Sequence, residues 1–268
     1  MQDFTYHSHN NGQGIGDGRN SCDEMLSRAE ELGFSEIGVS NHFICHPNIV
    51  RGHTQDFTDF AKAIDYAKKD IEETREAAAR HKIKVYAGFE VDYYPSAEWR
   101  NNFEKMLNEV QPDYLIGSTH NAFSADEQTI YSLWSLPEKA KNDENLNQYL
   151  ANYWQNIIDC INSGYFAFIA HFDLACSLGF CRGAEWDDWK WKVIEAFKAK
   201  NHPFEVNTSA ITRAGRPAPD WWIIKELVSA GVPTLISDDA HTTQALGQHF
   251  AEVEARLSEF GCTNRFRF

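Results

Sequence analysis

The chain has 268 residues, and 25 lysines and arginines against 39 aspartates and glutamates give it a formal net charge of −14. That balance excludes a general partner among nucleic acids or anionic membranes, since neither polyanion is attracted to an acidic surface. The length fits one large or two small domains and allows a full core without disulfide or metal staples.

No low-complexity tract or linker divides the sequence, so one domain over residues 1–268 is expected. No apolar run approaches the ~20 residues of a membrane-spanning helix. Met1-Gln2-Asp3-Phe4 has neither the basic region nor the apolar stretch of a secretory leader. The six cysteines (22, 45, 160, 176, 181 and 262) form no CxxC pair, which predicts a reduced, cytoplasmic setting. Eleven histidines beside 39 acids form a large stock of metal ligands, and their positions along the chain carry the functional reading.

The first strand is expected over 3–7 (DFTYH), and it runs into His7 and His9. A helix over 21–33 follows, opened by the capping box Ser21-x-x-Glu24 and stopped at Gly33. The second strand, 35–40 (SEIGVS), leads to His42, and a polar segment 43–57 then precedes a helix near 56–81. The third strand, 83–90 (IKVYAGFE), ends at Glu90 and is followed by a helix over 98–109. The fourth, 113–119 (DYLIGST), leads to His120, with a helix over 143–163. The fifth, 165–171 (YFAFIAH), ends at His171 before a helix over 187–200. The sixth is 203–207 (PFEVN) with a helix over 220–230. The seventh, 233–237 (PTLIS), leads to Asp238, Asp239 and His241, with a last helix over 242–259.

Strand alternating with helix predicts parallel strands joined by right-handed crossovers, and seven units predict a closed or nearly closed βα barrel. Six of the seven strands then carry His, Asp or Glu at their C-terminal ends, the face on which such folds build active sites. In His7-x-His9 both imidazoles leave an extended chain on the same side, and Asp239-x-His241 repeats the spacing. Imidazoles and carboxylates without thiolates suit zinc, manganese or iron, and so many ligands imply more than one ion. His46, His53, His81, His202 and His249 are read as ordinary hydrogen-bonding residues. Trp186 and Trp189 share a helical face with Val193 and Phe197, a packing stripe from which Trp191 points away. His46, Arg51 and His53 in segment 43–57 are candidates for a substrate rim or for a solvated loop.

His7-x-His9, His42 in VSNH, Glu90 in GFEVD, His120 in GSTH, His171 in IAHFD and SDDAH at 237–241 resemble the polymerase-and-histidinol-phosphatase (PHP) family. The resemblance implies a single PHP-type domain, a distorted (βα)7 TIM-like barrel with three divalent metal ions at the C-terminal ends of its strands. One ion would take His7, His9, Glu90 and Asp239. A second would take bridging Glu90, His120 and His171, and a third Asp17, His42 and His241. Many members carry a histidine where this chain reads Gly16-Asp17-Gly18, so the carboxylate stands in for an imidazole. Size and the segment Glu205-Val206-Asn207-Thr208-Ser209-Ala210 resemble the histidinol-phosphatase branch, which implies hydrolysis of L-histidinol phosphate, a small phosphomonoester of histidine biosynthesis.

The reaction is expected to run through a metal-activated hydroxide attacking phosphorus, with Glu90, Asp239 and His241 as catalytic residues. Arg182, Arg213 and Arg216 are the candidates for holding phosphate, because a guanidinium fork matches its oxygens. The nearest alternative is the same chemistry on another small phosphomonoester or a nucleotide. Cys176-Ser-Leu-Gly179-Phe-Cys-Arg182 also fits C-x-x-G-x-x-R, the phosphate loop of cysteine-dependent phosphatases. Ala175 precedes that cysteine, however, and the fifth strand ends five residues too early. A metal amidohydrolase shares the barrel and HxH but usually bridges its metals with a strand-end lysine, which the fourth strand lacks. A non-catalytic metal-binding protein is the remaining alternative, and the full ligand set argues against it.

Overall fold

Seven of the apolar segments pair side by side in a computed structural model that describes residues 2–12, 14–46, 59–136, 140 and 142–268. The strands are β1 (Phe4–Thr5), β2 (Glu36–Phe43), β3 (Lys84–Asp92), β4 (Tyr114–Ser118), β5 (Asn121–Phe123), β6 (Ile130–Ser132), β7 (Phe168–Ile169), β8 (Phe204–Asn207) and β9 (Thr234–Ser237). One seven-stranded sheet runs in the order β1-β2-β3-β4-β7-β8-β9, parallel at every step, while β5 and β6 form a separate antiparallel hairpin.

The sheet curls until its two ends meet. The Gln2 amide donates to the Ile236 carbonyl at 2.5 Å and accepts from the Ile236 N–H at 3.0 Å. Ser8 and Ala240 form a parallel bridge, and the His9 N–H reaches the Ala240 carbonyl at 2.8 Å. The result is a nearly closed barrel of seven parallel strands with helices between them, as the alternating pattern predicts.

The helices between strands are α1 (Cys22–Glu31), α2 (Phe60–Ala78), α3 (Ala97–Val110), α4 (Leu146–Ser163), α5 (Leu174–Ser177), α6 (Asp187–Lys200), α7 (Ser209–Ala214), α8 (Trp221–Ser229) and α9 (Phe250–Glu259). Ser21 and Glu24 close the expected capping box on α1. Val193 and Phe197 of α6 are fully buried, Trp186 just before it nearly so and Trp189 half-buried against the core, whereas Trp191 is exposed, as the stripe predicts. Among the described residues, no helix is long and apolar enough to cross a membrane.

Three expectations change. The helix over 242–259 begins only at Phe250, because the Gly247 N–H donates to the buried Asp238 carboxylate and its backbone turns left-handed (φ 72°). The strand over 165–171 keeps ladder bonds from Ala167 and Ala170 to β4 but turns at His171, whose N–H leaves the sheet for Glu205. The β5–β6 hairpin and the short α5 and α7 were not expected, since three to six residues carry too little periodicity to read.

Aromatic side chains fill the N-terminal end of the barrel. Tyr114 donates to the Tyr6 carbonyl at 2.6 Å across the interior. A Cβ at Gly38 or Gly88 would fall 2.3 or 2.5 Å from Tyr114, so only glycine lets that ring lie there. Phe268 closes this end, its ring centroid 4.6 Å from Tyr6, 4.8 Å from Tyr86 and 5.2 Å from Tyr114. Polar groups brace the opposite end. Asn41 Nδ2 donates to Asn10 Oδ1 at 2.7 Å and to Asp70 Oδ1 of α2 at 2.8 Å, fixing the chain beyond β1 against β2.

Burial pushes the Asp70 carboxyl up from 3.8 to about 7, with the nearby Glu73 charge adding to it. An acid whose folded pKa exceeds its unfolded value supports the fold at low pH and loses that contribution as pH rises through the interval. Asp70→Asn should therefore gain melting temperature relative to the parent progressively between pH 4 and 7. Thermal melts of both proteins at pH 5 and pH 8 check this, and parallel pH curves would contradict it.

Candidate metal centre

Strand register brings the predicted ligands together. His42 and Glu90 are lateral neighbours on β2 and β3, and β4, β7 and β9 deliver His120, His171 and Asp239–His241 at the same rim. Glu90 lies at the middle with its side chain fully buried. Its Oε1 faces His120 Nε2 at 3.3 Å and His171 Nε2 at 3.0 Å. Its Oε2 faces His7 Nε2 at 3.2 Å, His42 Nδ1 at 3.0 Å and His9 Nε2 at 3.6 Å. Asp239 Oδ1 lies 3.1 Å from His9 and 3.5 Å from His7. Asp17 lies 3.3 Å from both His42 and His241 and 3.5 Å from His9. All of the residues predicted as ligands meet in one continuous cluster.

Asp17 reaches the cluster because its neighbours have no side chains. A Cβ at Gly16 would lie 2.2 Å from the Gly12 nitrogen, and one at Gly18 would lie 2.4 Å from the His9 carbonyl. The Gly-Asp-Gly segment can therefore press flat against the chain beyond β1. Asp239 takes a left-handed backbone (φ 48°), a conformation that costs a non-glycine residue about 1–3 kcal/mol and that concentrates at functional sites.

The donor set fits metal ions. His7 Nε2, both ring nitrogens of His9, both Glu90 oxygens and His171 Nδ1 are buried without a hydrogen-bond partner among the described residues. Unpaired buried polar atoms are costly and rare, and here they converge. Four groups each have ligand atoms within 4.8 Å of one another: His9, Asp17, His42 and His241; His7, His9 and Asp239; His7, Glu90 and His171; His42, Glu90 and His120. Such groups could hold borderline divalent cations on nitrogen and oxygen donors.

Charge is strongly coupled within the cluster. Burial opposes ionisation of Glu90, but His42, His120 and His7 outweigh it and hold the carboxyl well below its usual range. Burial likewise opposes the Asp239 charge, and His7 and His9 overcome it. Burial also works against a protonated His7, yet Glu205, Asp239 and Glu90 raise its pKa. For His9 burial wins, with His241 beside it, and the pKa falls to about 3. His241 moves up to about 9, because Asp17 and Asp239 outweigh its burial.

Two carboxylates that the sequence reading did not single out support the ligands from behind. Glu205 of β8, fully buried, has Oε1 2.6 Å from His7 Nδ1 and also accepts from the Ser237 hydroxyl. Its Oε2 accepts from the His171 N–H at 2.8 Å and Asn207 Nδ2 at 3.1 Å. Asp92 Oδ1 lies 2.9 Å from His120 Nδ1 and accepts the His120 N–H at 2.8 Å. A carboxylate behind a ligating imidazole fixes which ring nitrogen faces the metal. The sequence carried a signal for both: Asp92 is two residues past Glu90 on the same strand face, and Glu205 is a charge inside an otherwise buried apolar strand.

The three arginines part company. Arg213 of α7 stands at the rim, donating to Ser177 Oγ at 3.4 Å with its guanidinium 4.7 Å over the Trp134 ring. Arg216 pairs with Asp173 at 2.9 Å and Asp220 at 3.2 Å. Arg182 donates to the Cys176 carbonyl at 3.0 Å. Arg182 and Arg216 line a separate cleft of about 430 Å³ beside Asp173 and Lys190. Cys176 lies in α5 rather than in a phosphate-cradling loop, and burial pushes its thiol well up, against a thiolate nucleophile. Asp238 is a structural residue: it accepts from Thr5 Oγ1 at 3.1 Å and the Gly247 N–H at 2.7 Å, and burial raises it to about 7. His46 pairs with Glu127 at 2.6 Å, while Arg51 and His53 lie outside the described residues.

Comparison with known proteins agrees with this fold. The family model for the PHP domain matches residues 5–209, and the chain belongs to that family. It is 23% identical over 185 residues to a probable histidinol-phosphatase of Deinococcus radiodurans, covering 67% of this chain and 66%, just under two thirds, of that protein. It is 22% identical over 275 residues to a probable histidinol-phosphatase of Schizosaccharomyces pombe, covering 96% of this chain and 87% of that one. The fold matches a crystal structure of histidinol phosphate phosphatase from Lactococcus lactis, complexed with zinc, L-histidinol and phosphate. That match has a TM-score of 0.69 at 13% identity and covers 100% of this chain and 97% of that one. His241 and Asp239 fall beyond the residues matched by the family model, so their place in the cluster rests on the barrel's closure.

Replacing the carboxylate behind His7 tests whether it positions that imidazole for metal binding. Glu205→Gln should weaken divalent-metal binding by about 10- to 100-fold with the far-UV circular dichroism unchanged. Competition for zinc against a chromophoric chelator measures it. Affinity equal to the parent would show that Glu205 does not orient His7.

Proposed function

We propose that this PHP-domain protein is a metal-dependent phosphomonoester hydrolase whose substrate is L-histidinol phosphate, cleaved to L-histidinol and phosphate. The observation that carries the reading is Glu90, a buried carboxylate with imidazoles facing both of its oxygens. The names of the curated relatives, and the histidinol and phosphate in the Lactococcus structure, support the substrate.

His7, His9, Glu90 and Asp239 would hold one divalent ion, Glu90, His120 and His171 a second, and Asp17, His42 and His241 a third; zinc, manganese and iron all suit these donors. When bound, such ions supply Lewis acidity, lowering the pKa of a water toward about 7 and neutralising phosphoryl oxygens. The protein's own part is placement. Glu90 turns Oε1 toward His120 and His171 and Oε2 toward His7, His9 and His42, so it would be shared between neighbouring ions. Asp239 turns Oδ1 toward His7 and His9 while Asn207 holds its Oδ2 at 3.3 Å. The water oxygen bonds to phosphorus, the ester P–O bond breaks, and the proton that the water gives up ends on the leaving alkoxide oxygen. Arg213 stands at the rim to take a phosphate oxygen. Asp17, Glu90 and Asp239 would neutralise half the charge of three divalent ions, and Glu205 and Asp92 behind the imidazoles two charges more, so the loaded centre would stay cationic although the chain as a whole is acidic. Six free cysteines support a reducing, cytoplasmic setting.

Metal analysis coupled to a panel of phosphomonoesters tests this reading. L-Histidinol phosphate should be the best substrate, and exhaustive chelation should abolish turnover. Glu90→Gln should lower kcat by more than about 100-fold, beyond the usual effect of residues behind the ligands. Turnover that survives chelation would overturn the hydrolase mechanism, and strong preference for another ester would overturn only the substrate.

A further inference from the structure

We propose that Trp134 determines leaving-group specificity: its indole face stacks on a planar ring carried by the alcohol of the phosphomonoester. The inference rests on the phosphatase reading and deepens it by naming what selects the alcohol.

The β5–β6 hairpin positions the residue. It opens immediately after His120, pairs Asn121 with Ser132, and returns so that the Leu133 N–H bonds the His120 carbonyl at 2.9 Å. Trp134 is thus the next residue after one tied to a candidate ligand. From the other side comes α7. Ser209 Oγ lies 3.5 Å from Asp239 Oδ2, and Arg213, four residues later, occupies the same helix face one turn further out. The Arg213 guanidinium lies 4.7 Å from the Trp134 ring centroid. Cluster, guanidinium and indole therefore form three successive layers.

Two further facts give those layers a chemical use. Among the described residues, Arg213 has no carboxylate partner at ion-pair distance, although the Asp239 charge acts on it. Its fork can take a phosphate oxygen while its face stays on the indole. Trp134 is 54% exposed, the most open large apolar side chain among the described residues. Trp191 and Trp222, also exposed, stack on each other on α6 and α8 instead. The Arg213 guanidinium covers one face of the indole, yet the ring keeps 54% exposure, so the alcohol of a phosphate held at Arg213 can lie against its uncovered side. An alcohol bearing a flat ring, and most of all a cationic one such as imidazolium, gains stacking and cation–π attraction there. A ringless alcohol gains neither.

The test compares kcat/KM of the metal-loaded enzyme for L-histidinol phosphate with that for O-phosphoethanolamine, which has an amine but no ring. The ratio of the two should fall by roughly 3- to 10-fold in Trp134→Ala and be largely kept in Trp134→Phe. A ratio unchanged in Trp134→Ala, including a loss shared equally by both esters, would overturn the proposal, since the indole would then only seat Arg213. A parent enzyme that shows no preference for the ring-bearing ester would overturn it too, with the phosphatase reading intact. Hydrolysis of neither ester would overturn the histidinol-phosphate reading, and this inference with it.

Discussion

The Glu90 carboxylate lies out of reach of solvent, with five imidazoles within 3.6 Å of its oxygens and no backbone N–H bonded to it among the described residues. A buried anion in such a place must be neutralised by cations, by protons on the imidazoles or by metal ions. The rest of the structure follows from meeting that demand. A parallel barrel is well suited to it, because every strand ends on the same rim and each can deliver one side chain to a common point. The remaining imidazole nitrogens are tied down from behind where the geometry matters most, by Glu205 at His7 and by Asp92 at His120.

The two ends of the barrel are built from opposite materials. Tyr6, Tyr86, Tyr114 and Phe268 pack the N-terminal end with aromatic rings. The C-terminal end is lined by imidazoles, carboxylates and the Asn10–Asn41–Asp70 chain of hydrogen bonds. Among the described residues the aromatic packing fills one end, and Arg213 and Trp134 lie together on the side of the other.

How much of this was legible depended on the kind of signal. Strand ends carrying His or Glu could be read because a strand, a loop and a helix each leave their own pattern, and the ligands recur at the same point of each unit. Asp17 could be placed only by resemblance; the structure adds the reason, two glycines whose missing side chains let it approach. Glu205 was read only as part of a segment resembling one branch, and Asp92 was given no role, because a carboxylate placed behind an imidazole looks in sequence like any other acid. The arginines were grouped by chemistry and loop position, and side-chain commitments invisible in sequence separated them: Asp173 and Asp220 hold Arg216, and the Cys176 carbonyl holds Arg182. The β5–β6 hairpin escaped notice because three-residue strands have no readable period.

The meeting of β1 with β9 has a consequence for how the protein is made. His7 and His9 come from the beginning of the sequence, whereas Asp239 and His241 come from near its end, joined by the Gln2–Ile236 and His9–Ala240 bonds. Contacts of such sequence separation close a long loop and form late in folding. During synthesis, His42, Glu90 and His120 can come together while the last strand is still being made, but the pockets shared with Asp239 and His241 cannot exist until it docks. Ions that enter those pockets would bind only the closed ring and so hold it shut by mass action.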